Sequence, residues 1–185
     1  MNAIPGLLLV AVLGLAGCTA TGADSAATPT VNSSARSGAG AGAGFGGTDL
    51  AWVEINIAMD EQLLPLLELT PKRTTDASTL AMAVQVKAFT EAELAILRQL
   101  HARAGLPAEN PHEGMPMPGM VTPEQVTEAA RLAGDAFNRT VTKLIRAHLE
   151  QGRSLARSED KSGVEPETRA LALQILRTRG VALST

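Results

Sequence analysis

Apolar side chains recur every three or four residues in several long stretches of this 185-residue chain, all of them after residue 47. This spacing lines one face of a helix, and the most frequent apolar residues, Ala and Leu, are good helix formers. Helix start and stop signals separate the stretches: Thr70-Pro71, Gly105, Thr122-Pro123-Glu124-Gln125 and Gly134. The pattern therefore predicts an all-α fold.

The predicted helices run from about 48 to 69, from 76 to 104, through a short segment from 123, through a long one after 134, and from 166 to about 180. Residues 80–86 and 169–175 resemble each other at a separation of 89 residues, which indicates a duplicated helical hairpin. Such a duplication folds most simply into an antiparallel four-helix bundle. We expect residues 48–185 to form this bundle.

The N-terminal segment has the layout of a bacterial lipoprotein signal. Leu15-Ala16-Gly17-Cys18 follows an apolar run that is too short to span a bilayer, which needs roughly 20 residues. The start of the segment has no Lys or Arg, which departs from the usual signal. An uncleaved anchor helix and a buried core helix are the alternatives, but Gly14, Gly17 and the Ser/Thr/Gly-rich tract that follows argue against both. We expect residues 1–17 to be removed and Cys18 to carry acyl chains.

Residues 18–47 are rich in Ala, Gly, Ser and Thr and are expected to form a disordered tether with a mean reach of roughly 30 Å. The mature protein is then extracytoplasmic and is attached to a membrane by its lipid, on either the cell membrane or an outer membrane. With the only cysteine acylated, no thiol remains for disulfides, thiolate catalysis or Cys-ligated zinc. The net charge of −3 and the scarcity of aromatic residues disfavour nucleic-acid binding.

Several short motifs mark a family resemblance. They are Asp49-Leu50-Ala51-Trp52, Glu93-Leu94, the run Met117-Pro118-Gly119-Met120-Val121-Thr122-Pro123-Glu124-Gln125, then Phe137 and Leu144-Ile145-Arg146-Ala147-His148. In these motifs the chain resembles domain-of-unknown-function family 305, secreted or lipid-anchored helical proteins with a ferritin-like look. The resemblance implies a ferritin-like bundle and a link to copper handling through Met and His residues.

The paired histidines that mark this family are mostly missing. Ala147 takes the place of one histidine in the second half, so that only His148 remains there, and Met59 and Asp60 stand at the corresponding positions of the first half. No Glu-x-x-His motif includes His148, because the residue three positions before it is Ile145, which disfavours a di-iron site.

The loop between the second and third helices is the main candidate for metal chemistry. One imidazole and three thioethers lie within nine residues, and thioether sulfur suits Cu(I) outside the cytoplasm: His112, Met115, Met117 and Met120. Two structural interpretations stay open, since Met also fills irregular gaps in cores and the loop could be a family relic. The Gly and Pro content predicts a loop with little fixed structure and weak binding.

His148 lies within an apolar stripe and is a further candidate ligand, although a lone histidine there is more often a satisfied core residue. Glu93 also falls in an apolar stripe, and a buried carboxylate needs a partner. Glu93 could face His148, and Asp60 could join from the first helix, as additional ligands or as groups that orient the imidazole. We expect a non-catalytic lipoprotein that binds Cu(I); the alternative is a metal-free structural or interaction module of the cell envelope.

Overall fold

The computed structural model describes residue 42 and residues 44–184, and these contain five helices and no strand. The helices are α1 (Gly47–Arg73), α2 (Ala77–Ala104), α3 (Pro123–Arg131), α4 (Gly134–Ser162) and α5 (Pro166–Ser184). The predicted all-α class is confirmed. The signal peptide, Cys18 and nearly all of the tether lie outside the described residues. Among the helices described, none is both long and apolar enough to cross a membrane.

Helix capping follows the sequence signals closely. The Asp76 carboxylate accepts from the Thr79 N–H and begins α2, while Gly105 ends it in the left-handed conformation at φ 66°. Thr122 and Gln125 form a reciprocal capping box at the start of α3, with Pro123 as the first helical residue. These local signals place the helix ends because the side chains satisfy backbone groups that no helical partner reaches.

Two predicted helix ends were wrong. The signal Thr70-Pro71 was expected to end α1, but the helix continues to Arg73, and α5 continues through Gly180 to Ser184. Leu66, Leu67 and Thr70 are buried in the last turns of α1, and the Thr74 N–H donates to the Thr70 carbonyl. Tertiary packing therefore outweighs the local disfavour for a helix before proline.

Most of the apolar core falls into two clusters along the helix axes, and a smaller third one contains Ala58, Met59 and Met120. The entry-end cluster lies where the chain enters α1, and the far-end cluster lies at the other end. Entry-end members are Trp52, Val53, Ile57, Leu94, Leu97, Leu100, Ala156, Leu171, Ala172 and Ile175. Far-end members are Leu63, Leu66, Leu67, Ala83, Val86, Val121, Ala129, Phe137, Val141, Ile145, Leu149 and Ala182.

The order of these clusters along the chain gives the direction of each long helix. α1 and α5 pass the entry-end cluster first, whereas α2 and α4 pass the far-end cluster first. α1 packs against α2 and α4, and α5 packs against α4 and α2. The antiparallel four-helix, ferritin-like arrangement expected from the sequence stays a prediction at this stage.

A buried carboxyl pair, Asp49 and Glu159, joins three helix ends at the entry end, and both side chains are 0% exposed. Asp49 Oδ1 accepts from the N–H groups of Val164 and Glu165, at 2.9 and 3.1 Å, and from the Thr168 hydroxyl at 3.0 Å. Its Oδ2 accepts from Gly46 N–H at 2.6 Å. Asp49 therefore caps α5 as well as its own helix.

The two carboxyl groups of this pair have different pKa values, so that one of them holds a proton that the other does not. Burial acts to raise the pKa of Asp49, but hydrogen bonds from Glu159, the backbone and Thr168 outweigh it and lower the pKa to about 2. Burial, and then the neighbouring Asp49, raise the pKa of Glu159 to about 7. Below neutral pH, Glu159 is therefore the protonated donor and Asp49 the ionised acceptor.

This pair predicts a pH-dependent stability. Because the folded-state pKa of Glu159 lies above its ordinary value of 4.5, its contribution is complete below pH 4.5 and is lost as pH rises through about 7. Glu159→Gln keeps the donor at every pH. We expect the free energy of unfolding, measured by urea denaturation from pH 5 to 8, to fall less steeply in this variant than in the wild type.

The matched control is Glu150→Gln, an exposed carboxylate on the same helix, which should keep the wild-type slope. Equal slopes for Glu159→Gln and the wild type would mean that the carboxyl pair does not share a proton.

Candidate functional site

Four ionisable side chains, one from each long helix, meet inside the protein: Asp60, Glu93, His148 and Arg179. Each is at most 1% exposed. They lie at the border between the two apolar clusters, and we name them the central ion cluster. Burying a charge without a partner costs several kcal/mol, so the arrangement depends on how these groups pair with one another.

Arg179 is the centre of this cluster. Its Nη1 donates to both carboxylate oxygens of Glu93, at 2.7 and 2.5 Å, and its Nη2 lies 3.5 Å from Asp60 Oδ1. The guanidinium also stands 5.1 Å from the centroid of the Phe89 ring, within the range of a cation–π contact. The Arg179 guanidinium of α5 thus lies against both Asp60 of α1 and Glu93 of α2.

Gly152 makes room for this arginine on α4. A Cβ atom at this position would lie 2.7 Å from Arg179 Nε, closer than side chains pack. A glycine within a helix costs about 1 kcal/mol relative to alanine, and here the space it leaves accommodates the guanidinium. The glycine on the apolar face of α4 is therefore explained by the arginine opposite it.

The protonation of the cluster follows from burial and neighbouring charges. Burial raises the pKa of Glu93 to about 7, with Arg179 acting against the increase and Asp60 adding to it. Burial also lowers the pKa of His148, although Asp60, whose Oδ1 is 3.3 Å from Nε2, favours the charged ring. At neutral pH we therefore treat His148 as a neutral imidazole facing the Asp60 carboxylate.

The sequence offered two carboxylates as partners of His148, Glu93 and Asp60. Glu93 pairs with Arg179, and the group that faces His148 is Asp60. The sequence interpretation did not include Arg179, because α5 was recognised only by its apolar spacing. A usable signal was present, since Arg179 follows Leu171 and Ile175 at intervals of four residues and so falls in the same stripe.

The central ion cluster is a poor match for a metal ion. Within the part of the chain described, no group of three or more His, Cys, Asp and Glu side chains is placed to hold one. Asp60, Glu93 and His148 offer suitable donor atoms, but the guanidinium of Arg179 already lies against both carboxylates. Its positive charge would repel a second cation at short range.

The loop from Leu106 to Val121 is more firmly held than its composition predicts. Asn110 Nδ2 donates to the Glu54 carbonyl at 2.8 Å, which fixes the start of the loop to α1. Gly119, at φ 75°, lies so close to α4 that a Cβ atom would come within 2.6 Å of the Ala147 carbonyl oxygen. The loop therefore approaches α4 at the position where the family histidine is replaced by alanine.

Gln62 provides a third attachment for this loop. With its amide oriented to satisfy both groups, Gln62 donates to the Val121 carbonyl at 3.3 Å and accepts from the Gly114 N–H at 3.2 Å. The opposite orientation places Nε2 3.3 Å from Met120 Sδ. Since a carbonyl is a stronger acceptor than a thioether, we favour the first, which leaves Met120 Sδ without a donor from Gln62.

The candidate ligands of this loop are split by the structure. Met120 is 4% exposed and packs with Met59 of α1, and Met117 is partly buried against them. We name these three residues the methionine cluster. Met115 is 46% exposed and His112 is intermediate, with its N–H donating to Asn110 Oδ1. His148 lies with the central ion cluster. The structure therefore brings together two of the predicted thioethers and adds Met59, which stands where the family has a histidine.

Removing Arg179 tests the central ion cluster. Arg179→Leu leaves Glu93 and Asp60 buried without their cation, and we expect a loss of about 3–5 kcal/mol in the free energy of unfolding. The control is Arg177→Leu, an exposed arginine on the same helix, which should change stability little. Urea denaturation followed by circular dichroism gives both values; similar stabilities would show that Arg179 is not needed to hold the acidic groups.

Known proteins bear out the family resemblance. The family model described as "Domain of unknown function (DUF305)" matches residues 49–184. No curated protein matches the chain. A crystal structure of a DUF305 fragment from Deinococcus radiodurans is similar, with a TM-score of 0.67, 17% identity, and coverage of 76% of this chain and 93% of that one.

A DUF305 protein from Streptomyces coelicolor, which is described as secreted, is also similar, with a TM-score of 0.66 and 16% identity over 74% of this chain and 86% of that one. At these identities the two structures establish a common fold and nothing more. The family match covers most of the chain and all five helices described. The chain therefore belongs to the DUF305 family.

Proposed function

We propose that this chain is a non-catalytic, extracytoplasmic lipoprotein whose methionine cluster binds Cu(I). The observation that carries the proposal is the packing of Met59 of α1 against Met117 and Met120 of the loop. Three soft, neutral sulfur donors from two parts of the chain then lie together, and thioethers are ligands that favour Cu(I). Partly buried Met117 gives the cluster an edge that an ion could approach.

The attachment of the loop supports this site. Contacts with α1 and α4 at Asn110 and Gly119 already restrict the loop. The loop therefore loses less conformational entropy when it binds an ion. Exposed Met115 and half-buried His112 lie on the same loop and could deliver an ion to the cluster. His148 is left out of this ligand set because it faces Asp60 inside the central ion cluster.

The proposed location rests on the N-terminal sequence. Leu15-Ala16-Gly17-Cys18 has the form of a lipoprotein processing site, and acylation contributes about 0.8 kcal/mol for each buried methylene. The description of the Streptomyces coelicolor relative as secreted agrees with a location outside the cytoplasm. Residues 18–47 would then tether the helical domain to its membrane.

We also propose that the four long helices form an antiparallel four-helix bundle with ferritin-like topology. The opposite order of the apolar clusters along α1 and α2, and along α4 and α5, supports two antiparallel hairpins. Since α2 and α4 run in the same sense, the segment with the methionine loop and α3 is the long crossover of such a fold.

A second candidate function is a metal-free interaction module of the envelope. It is favoured by Arg179, which occupies the polar centre and closes it to ions. In that case the methionine cluster would be ordinary packing, because the flexible thioether side chain fits irregular gaps in cores.

Cu(I) competition tests the leading proposal. The full chain carrying Cys18→Ser is titrated against a chromogenic Cu(I) chelator, alone and with Met59, Met117 and Met120 all replaced by Leu. Leucine conserves volume and removes the donor atom, so the fold should be kept. We expect the apparent affinity to fall at least about tenfold.

Met82→Leu is the matched control, because Met82 packs against the far-end cluster; it should bind as the wild type does. If the wild type and the triple variant compete equally, the copper proposal is wrong and the metal-free module is favoured. Met115→Leu shows separately whether the exposed thioether takes part.

Cys18→Ser tests the anchor in cells. Without the thioether-linked acyl chains, we expect the protein to move from the membrane fraction to the soluble extracytoplasmic fraction or the medium, as followed by immunoblot after ultracentrifugation. Continued sedimentation with membranes in the variant, under conditions that release peripheral proteins, would contradict lipid anchoring at Cys18.

A further inference from the structure

The outward face of α4 carries a line of six cations, which we name the basic stripe. Their positions differ by three, four or seven residues, and they contain six of the 16 Lys and Arg residues of the chain: Arg139, Lys143, Arg146, Arg153, Arg157 and Lys161. At 100° per residue they fall within about 40° of a common direction, opposite the buried face that contains Phe137, Val141 and Ile145. The stripe is about 33 Å long at 1.5 Å per residue.

The basic stripe is open to solvent and free of internal ion pairs. Four of its members are exposed, and Arg146 and Arg153 are intermediate. None of the six forms an ion pair with any residue in 44–184, and Arg146 donates only to the Leu183 carbonyl, at 3.4 Å. This is unusual for a chain whose net charge is −3, because the positive charge is gathered on one helix face.

The two halves of the stripe differ in their surroundings. Arg139, Lys143 and Arg146 share a groove with three acidic residues, which offset their charge: Asp76, Asp135 and Glu150. In the other half, Asp160 is paired with Arg169 at 3.8 Å, and Glu150 stands one turn before Arg153, so Arg157 and Lys161 meet the least opposing charge. The less compensated half is therefore the C-terminal half of α4.

This C-terminal half lies at the end of the domain where the chain enters it. Asp49, in the first turn of α1, accepts from the backbone of Val164 and Glu165 directly after α4. Gly42 donates its N–H to the Ala104 carbonyl, and Arg103 stacks over Phe45 at 5.6 Å. Gly42 and Phe45, where the described chain begins, thus lie against the end of α2, and Asp49 joins the start of α1 to the end of α4.

We propose that the basic stripe lies against anionic lipid headgroups of the membrane to which Cys18 anchors the chain, starting from Arg153, Arg157 and Lys161. The proposal rests on the lipid anchor proposed above for its location. A tether of about 25 residues keeps the domain within a few nanometres of the surface, so even weak attraction acts at a high effective concentration. Each cation close to an anionic surface strengthens binding about fivefold.

Vesicle sedimentation tests this surface independently of the acyl chains. The mature chain from residue 18 onward, carrying Cys18→Ser, is mixed with vesicles of phosphatidylglycerol and phosphatidylcholine, or of phosphatidylcholine alone, at low and at physiological salt. We expect sedimentation with the anionic vesicles only, weakening as salt rises. Arg153→Gln, Arg157→Gln and Lys161→Gln together should lower the partition coefficient at least about tenfold.

A control with the same change in net charge replaces exposed Lys72, Arg131 and Arg177 by Gln, none of which belongs to α4. It should retain most of the binding, and circular dichroism should show both variants folded. Equal loss in the two variants, or equal sedimentation with neutral vesicles, would overturn the proposal. Binding to soluble polyglutamate without binding to anionic vesicles would also overturn it and would assign the stripe to an acidic protein surface.

Every protein in this experiment lacks the acyl chains. A failure of the stripe to bind vesicles would therefore not contradict the lipid anchor at Cys18, which the cell-fractionation experiment tests separately. Conversely, retention of Cys18→Ser on anionic membranes in cells, abolished by the stripe variant, would support the stripe.

Discussion

The ion pair between Arg179 and Glu93 is the interaction on which the interior of this protein depends. It joins α5 to α2, and the same guanidinium approaches Asp60 of α1, which in turn faces His148 of α4. Four helices are thereby set relative to one another at the border between two apolar clusters. An apolar interior could pack in several rotational settings of its helices, whereas a buried charge accepts only those in which its partner is present.

This arrangement also explains two features that would otherwise be unfavourable. Gly152 weakens the middle of α4, but any larger residue would collide with Arg179. Burial raises the pKa of Glu93 to about 7 even though Glu93 is paired with Arg179, so this carboxyl group takes up a proton near neutral pH. In a family marked by paired histidines, this chain has a cation of its own, Arg179, at the polar centre.

The two ends of the domain are organised differently. At the entry end, Asp49 and Glu159 bind the starts of α1 and α5 to the end of α4 through a shared proton. The C-terminal half of the basic stripe lies at the same end, where the described chain begins. The carboxyl pair and the less compensated half of the stripe are therefore both at the end where the protein would meet its membrane, while the far end has the Asp76 cap of α2 and the larger apolar cluster.

Local signals were sufficient for much of the fold. The caps at Asp76, Gly105 and Thr122 act over three or four residues, so the sequence predicted those ends correctly. The end of α1 was missed because packing of Leu66, Leu67 and Thr70 extends the helix past Pro71. The motifs around Met117-Pro118-Gly119-Met120 were sufficient to indicate the family, which the match to residues 49–184 bears out.

The sequence by itself determined the all-α class, the main helix starts and the family, and it led to the expectation of a lipid anchor at Cys18. Each of these depends on residues that are adjacent or regularly spaced along the chain. Only the tertiary structure decided which charges pair. Glu93 and Arg179 are 86 residues apart, and nothing local distinguishes Arg179 from His148 as the partner of Glu93. The same holds for Met59 and Met120, since contacts between distant segments depend on how the helices pack, which no local spacing records.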